Sequence, residues 1–138
     1  MVDESDEAAP PSAEASLAAT PLAVLVVEDD VLVRMLACDI LKDGGYDVLE
    51  AVGAGEALTL LDARPDIALI FTDVDMPGEI NGLGLARLVA LRTPALPVLI
   101  TSGAASVAQA DVPLNGRFLE KPYSPSRLLE IVEAMTQP

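Results

Sequence analysis

The sequence predicts an α/β protein, a single doubly wound, five-stranded parallel sheet with five helices on its two faces. Three observations carry that expectation. Short apolar runs alternate with segments of helical period from about residue 21 to the end, and such alternation marks β-α-β units. The apolar runs are continuous, as in strands covered on both sides. Hydrophobic residues make up 51% of the chain but aromatic residues only 3%, so the core has to be assembled from Leu, Val, Ile and Ala. At 138 residues the chain has room for one such core.

Residues 1–20 (MVDESDEAAPPSAEASLAAT) are expected to form a disordered acidic tail, because they carry too little bulky apolar surface to order themselves. A docking segment is the other reading of this stretch. The domain proper is expected over 21–138. Leu22 to Val27 reads as a buried strand, after which Asp30 caps a helix over about Val31 to Lys42. Leu32, Leu36 and Ile40 lie on one stripe of that helix, and Gly44-Gly45 closes it. Tyr46 to Ala51 is a short strand, Gly55 to Ala63 a helix ended by Pro65, and Ile67 to Thr72 the next buried strand. The loop Asp73 to Asn81 leads into a helix from about Gly82 to Leu91. Pro97 opens the strand Val98 to Thr101, at a position where proline is tolerated. Ala104 to Ala110 reads as a short fourth helix, cut off by Pro113 and Asn115-Gly116. Arg117 to Leu119 is the last strand. Ser124 and Pro125 start a final helix with Leu128, Val132 and Met135 on its buried stripe. The expected strand order is flavodoxin-like, 2-1-3-4-5.

Composition excludes several functions. The formal charge is −14, and the first 21 residues hold five acids and no base, which leaves 17 acids against 8 bases in the remainder. So acidic a surface is a poor partner for nucleic acid phosphates. No apolar run approaches a membrane span, and the acidic start is unlike a signal peptide. The lone Cys38 has no internal disulfide partner and reads as a core thiol, which fits a cytoplasmic location.

The chemistry gathers at strand ends. Glu28 and Asp29 follow LAVLVV, Asp73 follows IALIFT, Ser102 follows PVLIT, and Lys121 follows RFLE. Loops at the carboxyl ends of parallel strands converge on one crevice, and in the expected order the first and third strands flank the switch point. Three carboxylates gathered there raise one another's pKa values unless a cation joins them. Mg²⁺ suits such a site because it accepts carboxylate oxygens and keeps positions for water and phosphate. Lys121 and the Ser102 hydroxyl add donors to phosphate oxygens. Asp30 is better read as a helix cap than as a ligand. Thr101 is the rival of Ser102, since alternation lets only one of the two face the crevice.

In order and spacing, the motifs VVEDD (Val26 to Asp30), TDVDMPG (Thr72 to Gly78), PVLITSG (Pro97 to Gly103) and FLEKP (Phe118 to Pro122) make residues 21–137 resemble the receiver domain of bacterial two-component response regulators. The resemblance implies that Asp73 is the phosphoacceptor and Asp29 a direct Mg²⁺ ligand. Glu28 would hold a metal-bound water, and the backbone carbonyl of Asp75 would be a further ligand. It also makes Ser102 the switch hydroxyl, Lys121 the phosphate-neutralising lysine and Phe118 the switch aromatic, and it implies a cis peptide before Pro122. The Asp75 side chain reads either as a solvated spectator or as a modulator of phosphate lifetime.

The implied function is phosphoacceptance in a two-component relay, with no enzyme activity beyond assisting the domain's own phosphorylation and dephosphorylation. The partners are a histidine kinase or histidine phosphotransferase, and a downstream protein bound through the fourth helix, fifth strand and last helix. With only Thr136 to Pro138 after the last helix, output is expected through protein contact. A departure from the family lies in the 18 residues between Ser102 and Lys121, where Pro113 leaves little room for the fourth helix. Alternatives are the receiver portion of a hybrid kinase, a phosphate sink, and a haloacid dehalogenase-type phosphohydrolase read from Asp73-Val74-Asp75. Chain order argues against the last, because that family places Asp-x-Asp after its first strand. An FMN carrier is disfavoured by the scarcity of aromatic residues for stacking.

Overall fold

The computed structural model describes residues 20–103 and 112–137. Five strands, β1 (Ala23–Val27), β2 (Asp47–Ala51), β3 (Ile67–Asp73), β4 (Val98–Ser102) and β5 (Gly116–Glu120), pair in parallel in the order β2-β1-β3-β4-β5. Four helices accompany them: α1 (Val31–Asp43), α2 (Ala54–Ala63), α3 (Gly82–Arg92) and α4 (Pro125–Thr136). Strand number, direction and order agree with the sequence reading, while the helix count does not. Five helices were expected and the described residues form four. The expected helix at Ala104 to Ala110 falls outside the described residues, as does the tail up to residue 19. That expectation rested on seven residues, fewer than two turns, and so short a segment has little helical stability of its own.

Burial explains why the strands were legible. β1 and β4 are buried at every position, whereas β2 and β5, at the sheet edges, are partly exposed. Two apolar layers sandwich the sheet. Leu25, Val27, Ile70, Ile100, Leu85 and Val89 belong to the layer under α2 and α3. Val24, Val26, Leu69, Phe71, Leu99, Leu128 and Val132 belong to the layer under α1 and α4. In α1 the buried residues are Ala37, Cys38 and Leu41, and the Leu32–Leu36 part of the apolar stripe faces outward, with Leu32 71% and Leu36 66% exposed. On α4, Leu128 and Val132 are buried as expected, joined by Ile131.

Local chemistry sets the helix ends. Asp30, Asn81 and Ser124 each accept a backbone N–H from the first turn of the helix that follows, as N-caps do. α1 stops at Gly44 and Gly45, the latter at a φ of 95°, a conformation that glycine adopts without strain. The Lys121–Pro122 peptide is cis.

Candidate functional site

The first and third strands put carboxylates at the same end of the sheet. Val27 of β1 pairs with Thr72 of β3, so Glu28 and Asp29 leave β1 beside the point where Asp73 ends β3. One oxygen from each of Glu28, Asp29 and Asp73 lies within 4.8 Å of the others. Glu28 and Asp73 are buried and Asp29 is exposed, so the cluster opens to solvent on one side. β5 delivers Lys121, whose Nζ stands 3.2 Å from Asp73 Oδ1 and 3.8 Å from Glu28 Oε1.

Burial pushes the Asp73 carboxyl above its ordinary pKa and the nearby Asp75 charge adds to the rise, against the pull of Lys121. Glu28 is likewise raised, first by burial and further by the Asp73 charge, although the Asp30 backbone N–H and Lys121 oppose it. Both shifts mean that two buried negative charges here are incompletely compensated. The residues fit a divalent cation for that reason. Their donors are all hard oxygens, the set is crowded with charge, and one side remains open for water and phosphate.

Backbone contacts hold the site from below. Glu28 Oε2 accepts the Asp30 N–H at 3.1 Å, which ties the carboxylate to the cap of α1. Gly82, at the start of α3, packs directly on the backbone of Asp73 and Val74, so closely that a Cβ there would collide with the Asp73 carbonyl. The Gly82 N–H donates to the Val74 carbonyl at 3.1 Å.

The sequence-selected hydroxyl lies beside this cluster. Ser102 is fully buried and its Oγ donates to Asp75 Oδ2 at 3.1 Å. The rival hydroxyl, Thr101 Oγ1, is buried and has no hydrogen-bond partner among the described residues. Phe118 is partly buried against the layer of α2 and α3. Asp30 serves as the α1 cap, as read from the sequence.

Two contributors escaped the sequence reading. Arg34 reaches back from α1 and donates to the Glu28 carbonyl at 2.8 Å, while its Nε meets Glu50 of β2 at 3.0 Å. The signal was available, since Arg34 stands one turn after the Asp30 cap and directly behind three acids. Tyr123 packs edge-on against Phe71, with centroids 5.9 Å apart. Its hydroxyl is pushed up to about 12 by burial, with Glu28 and Asp73 adding to the rise. Nothing in the local sequence around Tyr123 signals that proximity.

Comparison with known proteins agrees with this arrangement. A family model described as the response regulator receiver domain matches residues 24–133. The chain is 31% identical over 115 residues to the response regulator receiver protein CpdR of Brucella abortus, covering 81% of this chain and 94% of that protein. It is 30% identical over 116 residues to a putative NtrX-like response regulator of Rickettsia felis, covering 81% of this chain but 24% of the relative. The chain thus spans about a quarter of the length of the NtrX-like relatives. Among solved structures, the receiver domain of the hybrid histidine kinase CckA superposes with a TM-score of 0.71 at 34% identity, over 83% of this chain and 99% of that one.

Proposed function

The chain belongs to the response regulator receiver domain family, and from that premise we propose that Asp73 accepts a phosphoryl group from a phosphohistidine on a histidine kinase or histidine phosphotransferase. A receiver domain is a phosphoacceptor module, not a free-standing enzyme, and its acidic cluster is able to coordinate a metal. The observation that carries the finer assignment is the meeting of Asp73 with Glu28, Asp29 and Lys121 at one open end of the sheet.

A carboxylate oxygen of Asp73 attacks phosphorus and forms an acyl phosphate. The phosphorus–nitrogen bond of the donor breaks, and its electron pair stays on the imidazole. The sequence contains no histidine, so the donor imidazole lies outside it. Lys121 neutralises charge on the equatorial oxygens of the transferring group. Asp29, Asp73 and the Asp75 carbonyl would hold Mg²⁺ directly and Glu28 through water. When bound, the ion offsets negative charge on the phosphoryl oxygens. Ser102 would donate to the phosphoryl group once it is on Asp73, and the resulting movement near Phe118 would alter the surface presented to a downstream protein. Of the surface expected to serve output, β5 and α4 lie among the described residues.

A donor must also dock beside Asp73. α1 presents Val31, Leu32, Met35 and Leu36 at 56%, 71%, 52% and 66% exposure. Between Leu36, Ile40, Lys121, Tyr123 and Pro125 runs an apolar groove of about 380 Å³. Because Lys121 borders both this groove and the acidic cluster, an apolar helix of a donor protein seated there would bring its histidine toward Asp73. We assign α1 to donor docking on that basis.

Labelling with acetyl phosphate and Mg²⁺, read by intact mass, tests the acceptor. The wild type should gain one phosphoryl group and Asp73→Asn none. Undiminished labelling of Asp73→Asn would overturn the assignment.

A further inference from the structure

Ser102 has a second acceptor within reach besides any phosphoryl group on Asp73. Its hydroxyl donates to the Asp75 carboxylate at 3.1 Å, and this bond joins the end of β4 to the loop after β3 across 27 positions of sequence. Ser102 is fully buried whereas Asp75 is exposed, so the carboxylate reaches inward to engage the hydroxyl. Asp75 also stands close enough to Asp73 to act on it electrostatically.

We propose that Asp75 is a positioning residue that holds the Ser102 hydroxyl in the unphosphorylated protein and yields it when Asp73 is phosphorylated. The inference rests on Ser102 being the phosphoryl contact proposed above. A hydroxyl donates one hydrogen, so a Ser102 engaged with Asp75 cannot donate at the same time to a phosphoryl oxygen. Phosphorylation replaces the single negative charge of the Asp73 carboxylate by an acyl phosphate that carries about two, beside an Asp75 carboxylate that is already negative. Repulsion weakens the Asp75 contact at the moment when a more highly charged acceptor arrives. The exchange thereby becomes conditional on charge, and Asp75 contributes to the resting state rather than to the phosphorylated one.

Two substitutions separate the two properties of Asp75. Asp75→Ala removes both acceptor and charge, whereas Asp75→Asn keeps an acceptor oxygen and removes the charge. The measurement is the amide chemical shifts of Ser102 and Leu119 in Mg²⁺, with and without beryllofluoride as an acyl-phosphate mimic. Metal-loaded Asp75→Ala without the mimic should move part of the way to the wild-type beryllofluoride positions. Asp75→Asn should start at the wild-type resting positions and complete less of the transition at saturation. In a Ser102→Ala background, Asp75→Ala should produce no further shift at Leu119.

Resting Asp75→Ala spectra that superpose on wild type at these amides would overturn the proposal, as would equal effects of the Ala and Asn substitutions. Failure of the underlying assignment looks different. In that case wild-type Asp73 would not be labelled by acetyl phosphate, or saturating beryllofluoride would leave Ser102 unmoved in every variant. Asp75→Ala leaves the buried Ser102 hydroxyl without this acceptor and should lower stability, so both variants are compared well below their thermal midpoints, where unchanged core amide shifts distinguish loss of the contact from unfolding.

Discussion

Lys121 meets two carboxylates at once, 3.2 Å from Asp73 and 3.8 Å from Glu28, and still leaves both raised in pKa by burial. The sign of the consequence follows from which state holds protons more firmly. Raised carboxyls keep their protons to higher pH in the folded protein than in the unfolded chain. Their protonation therefore stabilises the fold below the ordinary carboxylate range, about pH 4, and the contribution is lost as pH rises through the raised values. Metal-free protein should lose stability over the interval above about pH 4, and Asp73→Asn, which lacks one of the titrating groups, should lose less. Denaturant midpoints of both proteins across that range check this, and parallel profiles would contradict it. At neutral pH, Mg²⁺ at about a hundred times its Kd should add about 2.7 kcal/mol by binding only the folded state, and Asp29→Ala should abolish most of that gain. Glu28, Asp29 and Asp73 were legible because they stand at the ends of apolar strand runs, and Lys121 because it follows the short RFLE segment within the FLEKP motif. The Asp75–Ser102 and Arg34–Glu28 contacts were not, since each joins chain segments whose approach only the folded topology determines.

At the scale of elements, strands were read well and helix faces less so. A short continuous apolar run rich in β-branched residues and bounded by turn residues favours a strand buried on both sides, as β1 and β4 are. Helical periodicity identifies an apolar stripe but does not say whether the sheet or another protein covers it. On α1 the sheet takes the smaller Ala37 and Cys38, with Leu41, and leaves Leu32 and Leu36 outside. The seven-residue fourth helix rested on still less, and four helices are what the described residues form. Close approach between elements was also invisible in sequence. Gly82 gives a sharp case, because α3 begins against the backbone of Asp73 itself. Gly82→Ala should cost about 1–3 kcal/mol, the usual range for overpacking, and should slow acetyl phosphate labelling by displacing Asp73. Gly55 in α2 is the matched control, since a Cβ there meets nothing within 4 Å. Gly55→Ala should be stabilising by about 0.4–1 kcal/mol with unchanged labelling. Equal losses of stability in the two variants would contradict the packing argument.

Taken as a whole, the molecule couples a strongly acidic composition, with a net charge of −14, to one helix that exposes four large apolar side chains. Among the described residues no helix is long and apolar enough to cross a membrane. Exposed apolar residues are ordinary when scattered, but a contiguous set beside a reactive group marks an interaction surface. Val31, Leu32, Met35 and Leu36 follow one another around adjoining turns of α1, and Leu36 also lines the groove that Lys121 borders. Small-molecule and protein donors make different demands on that surface. Acetyl phosphate needs only the acidic cluster and Lys121, whereas a kinase must also seat a helix. Replacing Leu32 and Leu36 together by Glu removes the apolar contact and adds two charges to a face that would have to be desolvated, while leaving the buried side of α1 at Ala37, Cys38 and Leu41 untouched. The double variant should keep the wild-type thermal midpoint and the wild-type rate of labelling by acetyl phosphate, yet lose at least about tenfold in phosphotransfer from a phosphohistidine protein, corresponding to about 1.4 kcal/mol or more of lost docking energy. Rates from both donors, measured side by side, check this, and an equal fall with both would mean that α1 supports the acceptor site itself rather than the donor's approach.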